Sequence, residues 1–548
     1  MTRDILNVIF TLFLTKVAGV FCSLLVYIPH VMKNLFSLIV TLLVLASCTP
    51  KENPTPWNDP LAHLFDPLKA PFYHGVASGD PLPDGVILWT RVTPQDSVAT
   101  VEVVYEISPE QDFSKGVIKG KAMTTPAQDY TVKVDVRGLR PGTRYYYRFE
   151  ALGASSATGQ TRTAPTEADS LKFAVVSCSN YEFGHFNAYG AMAEREDLNA
   201  IVHLGDYIYE YGPGTYGDTT LGRTNLPAHE AVTLSDYRTR YAQYRLDPDL
   251  QAAHQKHPFI NIWDDHEIAN NAYTTGAQNH QADTEGEYST RRSAAVQTYY
   301  EWLPIREGAH YRTFNYGNLA DLMMLDERLA GRTAPADSVT DPSLQDESRS
   351  MLGTEQMEWL KMQLSSSQAK WKVVGNQVIF SYLNWGYEPG FTVNLDSWDG
   401  YPQEQKALET FIADAVENVI FVTGDTHRSW AFEVTTNPFS GYNPETAEGA
   451  IAVEFGTTSI NSGNADERDG VTPEMVMEHE AKITSAALNP HLKFNNGRDH
   501  GFLLLTLTDE QARADFYYVP TLRTRTTETT VGKSFVVEAG SVKLIEVE

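Results

Sequence analysis

The sequence predicts an α/β core of sheet and flanking helices, preceded by a small all-β domain. Three observations carry this. From Phe72 to about Thr163, short β-branched and aromatic runs are punctuated by prolines. From Leu171 onward, apolar strands alternate with amphipathic stretches such as Phe186 to Glu196 and Glu355 to Leu364, the texture of α/β layering. Five of those apolar runs stop at clusters of metal-binding residue types.

Length and composition set the limits. A chain of 548 residues has room for two to four domains, or one large domain with additions. With 42% hydrophobic and 21% charged residues it buries a real core, which excludes whole-chain disorder. The formal net charge of −27 repels phosphate backbones, so stable nucleic-acid binding is excluded. An anionic substrate would need a local reversal of sign, which bound metal cations supply.

Residues 1–31 are an apolar extension interrupted by Lys16 and Pro29. Translation is expected to begin at Met32; the alternative is a genuine N-terminal membrane helix. Residues 32–47 read as a lipoprotein signal peptide: Lys33, then an apolar run from Leu35 to Ala46, too short to span a bilayer. Leu45-Ala46-Ser47-Cys48 resembles a bacterial lipobox, in which acylated Cys48 becomes the mature first residue and anchors the protein to a membrane surface. Export to the cell envelope or periplasm of a bacterium is the expectation. Residues 48–70 form a polar, proline-rich tether. Only Cys178 then remains in the interior, so a disulfide framework is excluded. That thiol is either a buried small hydrophobe or a metal ligand.

Residues 71–165 form the N-terminal β-sandwich domain. Strands are expected at Gly85 to Thr90, Thr100 to Ile107, Thr131 to Val136 and Arg144 to Ala151. Gly138-Leu139-Arg140-Pro141-Gly142-Thr143-Arg144-Tyr145-Tyr146-Tyr147 resembles the turn and tyrosine-rich strand of a fibronectin type III-like domain. A linker from Thr161 to Ser170 leads into the catalytic domain, 170–548. Gly212 to Leu226, rich in glycine and threonine, reads as a surface loop.

The five informative strands end at Cys178; at Asp206 and Tyr209; at Asp264, Asp265, His266 and Glu267; at Asn376; and at Asp425 and His427. In α/β sheets, ligands bind outside the carboxyl ends of strands, so five such ends would build one site. Asp-Asp-His-Glu packs three carboxylates and an imidazole into four residues, which repel one another without a cation. Thiolate, phenolate and imidazole suit a transition metal; carboxylate and amide oxygens suit calcium or a similar hard divalent ion. A site with both sets implies different metals sharing a bridging carboxylate, a geometry used for in-line displacement at phosphorus.

His-Gly-Val-Ala-Ser-Gly-Asp-Pro (74–81), Ser-Cys-Ser-Asn (177–180), His-Leu-Gly-Asp-Tyr-Ile-Tyr-Glu (203–210), Trp-Asp-Asp-His-Glu-Ile-Ala-Asn-Asn (263–271), Val-Val-Gly-Asn-Gln-Val (373–378) and Val-Thr-Gly-Asp-Thr-His (422–427) together resemble the PhoD-like alkaline phosphatases, a branch of the metallophosphoesterase superfamily. The resemblance runs from about Phe72 to the C-terminus. It implies a layered β-sandwich core flanked by helices. It also implies a ferric ion held by Cys178, Asp206, Tyr209 and His427, with Asp206 bridging to calcium held by Asp265, Asn376 and Asp425. A second calcium would draw on Asp264 and Glu267. His266 aligns with the superfamily's catalytic histidine.

The expected function is an exported alkaline phosphatase and phosphodiesterase that attacks phosphate esters with a metal-activated hydroxide. Two rivals remain at this point. One is a non-catalytic surface lipoprotein with a structural metal site. The other is a phosphodiesterase specialised for phospholipid or teichoic-type diesters. Arg328 reads either as a phosphate contact or as the partner of an interior salt bridge with Asp326. Gly-Arg-Asp-His-Gly-Phe (497–502) reads as a cover over the site or as a structural turn.

Overall fold

The computed structural model describes residues 59–308, 310–387 and 393–548. The readings for the apolar extension, the signal peptide and most of the tether lie outside the described residues. Among the described residues, no helix is long and apolar enough to cross a membrane.

Two sheets, of ten and seven strands, form the core. The ten-stranded sheet is centred on parallel strands Ser170–Val176, Ala200–His203 and Pro258–Asn261. The seven-stranded sheet is centred on parallel strands Ala320–Met324, Trp371–Gly375 and Val419–Thr423. Their near-continuous apolar sequences suit strands covered on both faces. Val175, Val202 and Ile260 of one sheet share a core with Val373, Ile420 and Phe455 of the other.

Helices cover the outer faces. Asn187–Ala193, Leu234–Tyr244, Pro248–Lys256 and Tyr288–Trp302 pack on the ten-stranded sheet, and Gly353–Ser366 and Pro402–Ala415 on the other. Leu234–Tyr244 begins at a capping box of Thr233 and Asp236. Pro248–Lys256 begins with proline at its first turn and Asp247 as its cap.

The N-terminal strands form where the β-branched runs place them: Gly85–Arg91, Val101–Ser108, Thr131–Arg137 and Arg144–Ala151. Val86, Leu88 and Val132 pack against Val103, Tyr147 and Phe149. One layer of this sandwich is the far end of the ten-stranded sheet, because Val76–Leu82 pairs in parallel with Pro258–Asn261, Ser78 opposite Pro258. Three of the strands carrying the site and the N-terminal strands Val76–Leu82, Gly85–Arg91 and Thr131–Arg137 therefore share one hydrogen-bonded sheet.

Candidate metal centre

Every predicted ligand lies just past the carboxyl end of a parallel strand. Cys178 follows Ser170–Val176, Asp206 follows Ala200–His203, Asp265 follows Pro258–Asn261, Asn376 follows Trp371–Gly375, and Asp425 follows Val419–Thr423. Loop-to-loop hydrogen bonds hold these ends together: Cys178 N to the Gly205 carbonyl at 3.1 Å, Asn376 N to the Val422 carbonyl at 3.0 Å, and Gly424 N to the Gln377 carbonyl at 2.9 Å. Gly205, at φ 111°, is required at this crossing, since a Cβ there would lie 2.3 Å from the backbone nitrogen of Asp264.

The backbone itself is strained here. Cys178, Asp206, Asp425 and His427 have φ of 61°, 54°, 63° and 56°, a region that side-chain-bearing residues avoid. Such conformations cost about 1–3 kcal/mol each and persist where surrounding structure over-determines them.

Three groups of ligand atoms converge. Cys178, Asp206 and His427 offer atoms within 4.8 Å of one another; so do Asp206, Asp265 and His266, and so do Asp264, Asp265 and Asp425. Asp206 and Asp265 each belong to two groups, so the three share carboxylates. Tyr209 joins the first, its hydroxyl 3.0 Å from Asp206 Oδ2 and 3.0 Å from His427 Nε2. His427 Nδ1 donates to the Gly463 carbonyl at 2.9 Å, which leaves the Nε2 lone pair facing the cluster. Asn376 is the outlier by its partners: Oδ1 accepts from Trp398 Nε1 at 3.1 Å, and Nδ2 donates to the Val378 carbonyl.

The electrostatics call for cations. Burial, then the Asp206 charge, pushes both the Cys178 thiol and the Tyr209 phenol well above their ordinary values. Burial and the neighbouring acids do the same to Asp206, against the pull of His266. Burial and Asp264 raise Asp425, against Arg328. Burial thus disfavours the charged, ligating forms of these groups; a multivalent cation reverses that balance. Asp264 Oδ2 is buried with no hydrogen-bond partner, as a carboxylate waiting on a cation would be. The donor set thus fits a thiolate-phenolate-imidazole metal beside a hard, oxygen-bound one.

Three residues do work that the sequence does not announce. Glu210 Oε2 lies 2.7 Å from His266 Nδ1, while its Oε1 accepts from Asn270 N and Asn279 Nδ2 at 2.8 Å each. Burial opposes a charge on His266, but Glu210, then Asp265 and Asp206, raise its pKa well above the ordinary value. Glu267 accepts from the backbone nitrogens of Asp206, Tyr207 and Asp264 and clamps two loops together, so its oxygens are already engaged. Arg328 is fully buried; its Nε lies 2.5 Å from Asp264 and its Nη1 2.6 Å from Asp396, with Asp425 at 3.4 Å. Its guanidinium thus meets those three acids, while Asp326 takes only its backbone N–H, at 3.1 Å. Nothing at Glu210 or Arg328 signals these pairings, because the partners lie 56 and 64 residues away in the chain.

The segment 497–502 supports the centre from behind. His500 Nδ1 lies 2.9 Å from Ser459 Oγ, Gly501 N donates to the Ser459 carbonyl at 3.0 Å, and Thr458 Oγ1 donates to the Asp499 carbonyl at 2.6 Å. These contacts fix the loop whose Gly463 carbonyl orients His427. The glycine-rich loop after Tyr211 brings Tyr216 over the same histidine, its hydroxyl 3.2 Å from Nδ1.

Comparisons with known proteins agree with this geometry. Residues 173–516 match the family model described as PhoD-like phosphatase, and residues 62–165 match that of the PhoD-like phosphatase N-terminal domain. The chain is 37% identical over 477 residues to alkaline phosphatase D of Bacillus subtilis (strain 168), covering 82% of this chain and 78% of that one. A solved structure titled "Structure of PhoD" superposes with a TM-score of 0.78 at 34% identity, covering 88% of this chain and 92% of that chain.

Proposed function

The chain belongs to the PhoD-like phosphatase family, and from that premise we propose that it hydrolyses phosphate monoesters and diesters at alkaline pH through an iron–calcium centre. The observation that carries the reading is the sharing of Asp206 and Asp265 between adjoining groups of ligand atoms. Cys178, Asp206, Tyr209 and His427 would hold the iron. Asp206, Asp265, Asn376 and Asp425 would hold calcium, with Asp264 Oδ2 open to a second calcium. When bound, the two metals supply Lewis acidity that activates water and neutralises phosphoryl oxygens.

The chain's own residues do the rest. His266, whose protonated ring Glu210 favours, stands beside the shared carboxylates and would stabilise the phosphoryl transition state or protonate the leaving oxygen. Gly463, through its carbonyl, keeps His427 in the tautomer that presents Nε2. Arg328 holds Asp264 in place without competing for its second oxygen. No side-chain nucleophile is called for, so no covalent protein intermediate is expected.

The test is turnover of 4-nitrophenyl phosphate and of bis(4-nitrophenyl) phosphate. Activity should vanish with chelator, return with calcium, and be lost in Asp206→Asn and Asp425→Asn. A metal-loaded, folded protein inert on both esters would leave only a structural role for the centre. We also propose export and lipid anchoring through Cys48, on the strength of Leu45-Ala46-Ser47-Cys48. Intact mass of the mature protein tests it: a diacylglycerol adduct on Cys48 is expected, and an unmodified Met1 or Met32 terminus would refute it.

A further inference from the structure

Cys178 and Asp206 both stand at positive φ, and two backbone bonds join their loops: Cys178 N to the Gly205 carbonyl at 3.1 Å and Ser179 N to the Asp206 carbonyl at 2.8 Å. A strained backbone persists only where its surroundings over-determine it. Glu267 ties the Asp206 loop to the Asp264 loop. Toward the Cys178 loop the tie is a chain of three fully buried side chains, His203, Tyr189 and Ser179.

The direction of each bond in that chain can be read from the first. Gly205 N donates to His203 Nδ1 at 3.2 Å, so the ring carries its proton on Nε2. Burial lowers the imidazole to about 3, so it holds that one proton. Nε2 therefore donates to the Tyr189 hydroxyl oxygen at 2.8 Å. The Tyr189 hydroxyl also meets Ser179 Oγ at 2.7 Å, and its own proton goes there. Tyr189 belongs to helix Asn187–Ala193, and its ring packs edge-on to Phe186 with centroids 5.7 Å apart and tilted against Phe259 at 6.4 Å. The phenol is thus held in place whether or not its hydroxyl is bonded. With the two backbone bonds, the chain closes a circuit from Gly205 through His203, Tyr189 and Ser179 back to Asp206.

We propose that His203, Tyr189 and Ser179 are positioning residues: they hold Cys178 and Asp206 in their left-handed backbone conformations and so set the spacing of sulfur and carboxylate for the iron. The consequence for iron rests on the reading of Cys178 and Asp206 as its ligands; the constraint on the two loops does not.

Tyr189→Phe keeps the ring contacts and deletes the central hydroxyl, and Ser179→Ala deletes its acceptor. In each full-length variant, iron affinity measured by chelator competition should drop about 10–100-fold, the usual scale for groups that orient metal ligands. The double variant should be no worse than either single one, since both break the same bond. On the metal-free proteins, hydrogen exchange should quicken at the Cys178, Ser179 and Gly205 amides and keep the parental rate at Asn376 and Gly424, whose bonds join loops of the other sheet. If Tyr189→Phe does not fold, Ser179→Ala decides alone. Parental exchange at Cys178, Ser179 and Gly205 overturns the proposal, and so does exchange that quickens equally at Asn376 and Gly424, which marks a general loss of stability. Quickened exchange with parental iron affinity overturns the positioning role. Quickened exchange in a protein whose parent binds no iron upholds the constraint on the loops and overturns the iron reading instead.

Discussion

Glu210 Oε2 sits 2.7 Å from His266 Nδ1, and the glutamate is fully buried. The contact fixes the imidazole by its Nδ1 and favours the protonated ring. Glu210→Gln keeps the shape and removes the charge. We expect kcat to fall about 10–100-fold, less than the roughly 10²–10⁴-fold that a whole general acid contributes because the imidazole itself remains, with KM little changed. Iron and calcium content should be unaltered, which steady-state kinetics combined with metal analysis would establish. A matching loss of metal would mean that Glu210 supports the ligands and not the proton.

Cys178 is wholly buried at φ 61°, with its sulfur in one group with Asp206 and His427. Cys178→Ser retains size and polarity but loses the soft donor. The variant should purify with an unchanged circular dichroism spectrum and little iron. Wild-type iron content in it would remove the thiol from the centre.

How far the site could be foreseen follows from the distances along the chain that separate its parts. Cys178, Asp206, Asp265, Asp425 and His427 were legible because each sits within a few residues of the end of an apolar strand, so the local pattern predicts its place. Glu210 and Arg328 were not, because their roles arise from partners brought near only by the sheet order. Asn376 was placed at the correct strand end, yet its hydrogen bonds to Trp398 and Val378 are set by a distant loop. The N-terminal strands were likewise visible, but their continuity with the core sheet depends on the parallel pairing of Ser78 with Pro258, about which no local run is informative. The positive φ angles of four site residues contradict local preference outright, and only the completed fold over-determines them.

Arg328 is the built-in cation among Asp264, Asp396 and Asp425. Arg328→Met leaves Asp264 and Asp425 buried without that cation, while Asp396 keeps its pair with Arg332. Breaking a buried pair on one side costs about 3–5 kcal/mol, so the metal-free variant should lose that much stability by urea unfolding. Added calcium should recover more stability in the variant than in the parent, since Asp264 and Asp425 are then free to bind it. Equal calcium responses in the two proteins would show that the guanidinium does not share their charge.

The helix Pro402–Ala415 buries Glu409, which is 5% exposed, close to the equally buried Asp399. Burial pushes the Glu409 carboxyl up to about 8 from its ordinary 4.5, with Lys406 pulling the other way. Burial also raises Asp399, reinforced by the Glu409 and Glu454 charges, against a hydrogen bond from Leu383 N. The unfolded chain releases its Glu409 proton near 4.5, whereas the folded chain keeps it until about 8. Between those values the unfolded state binds fewer protons, so folding stability falls as pH rises and levels off above 8. Glu409→Gln removes the titrating group. The variant should therefore lose less stability between pH 5 and 9, and at pH 9 should exceed the parent by on the order of a few kcal/mol. Urea midpoints at the two pH values measure this directly, and identical slopes for the two proteins would place the proton elsewhere. The alkaline range in which the enzyme is proposed to work is thus one in which its own buried acids oppose the fold.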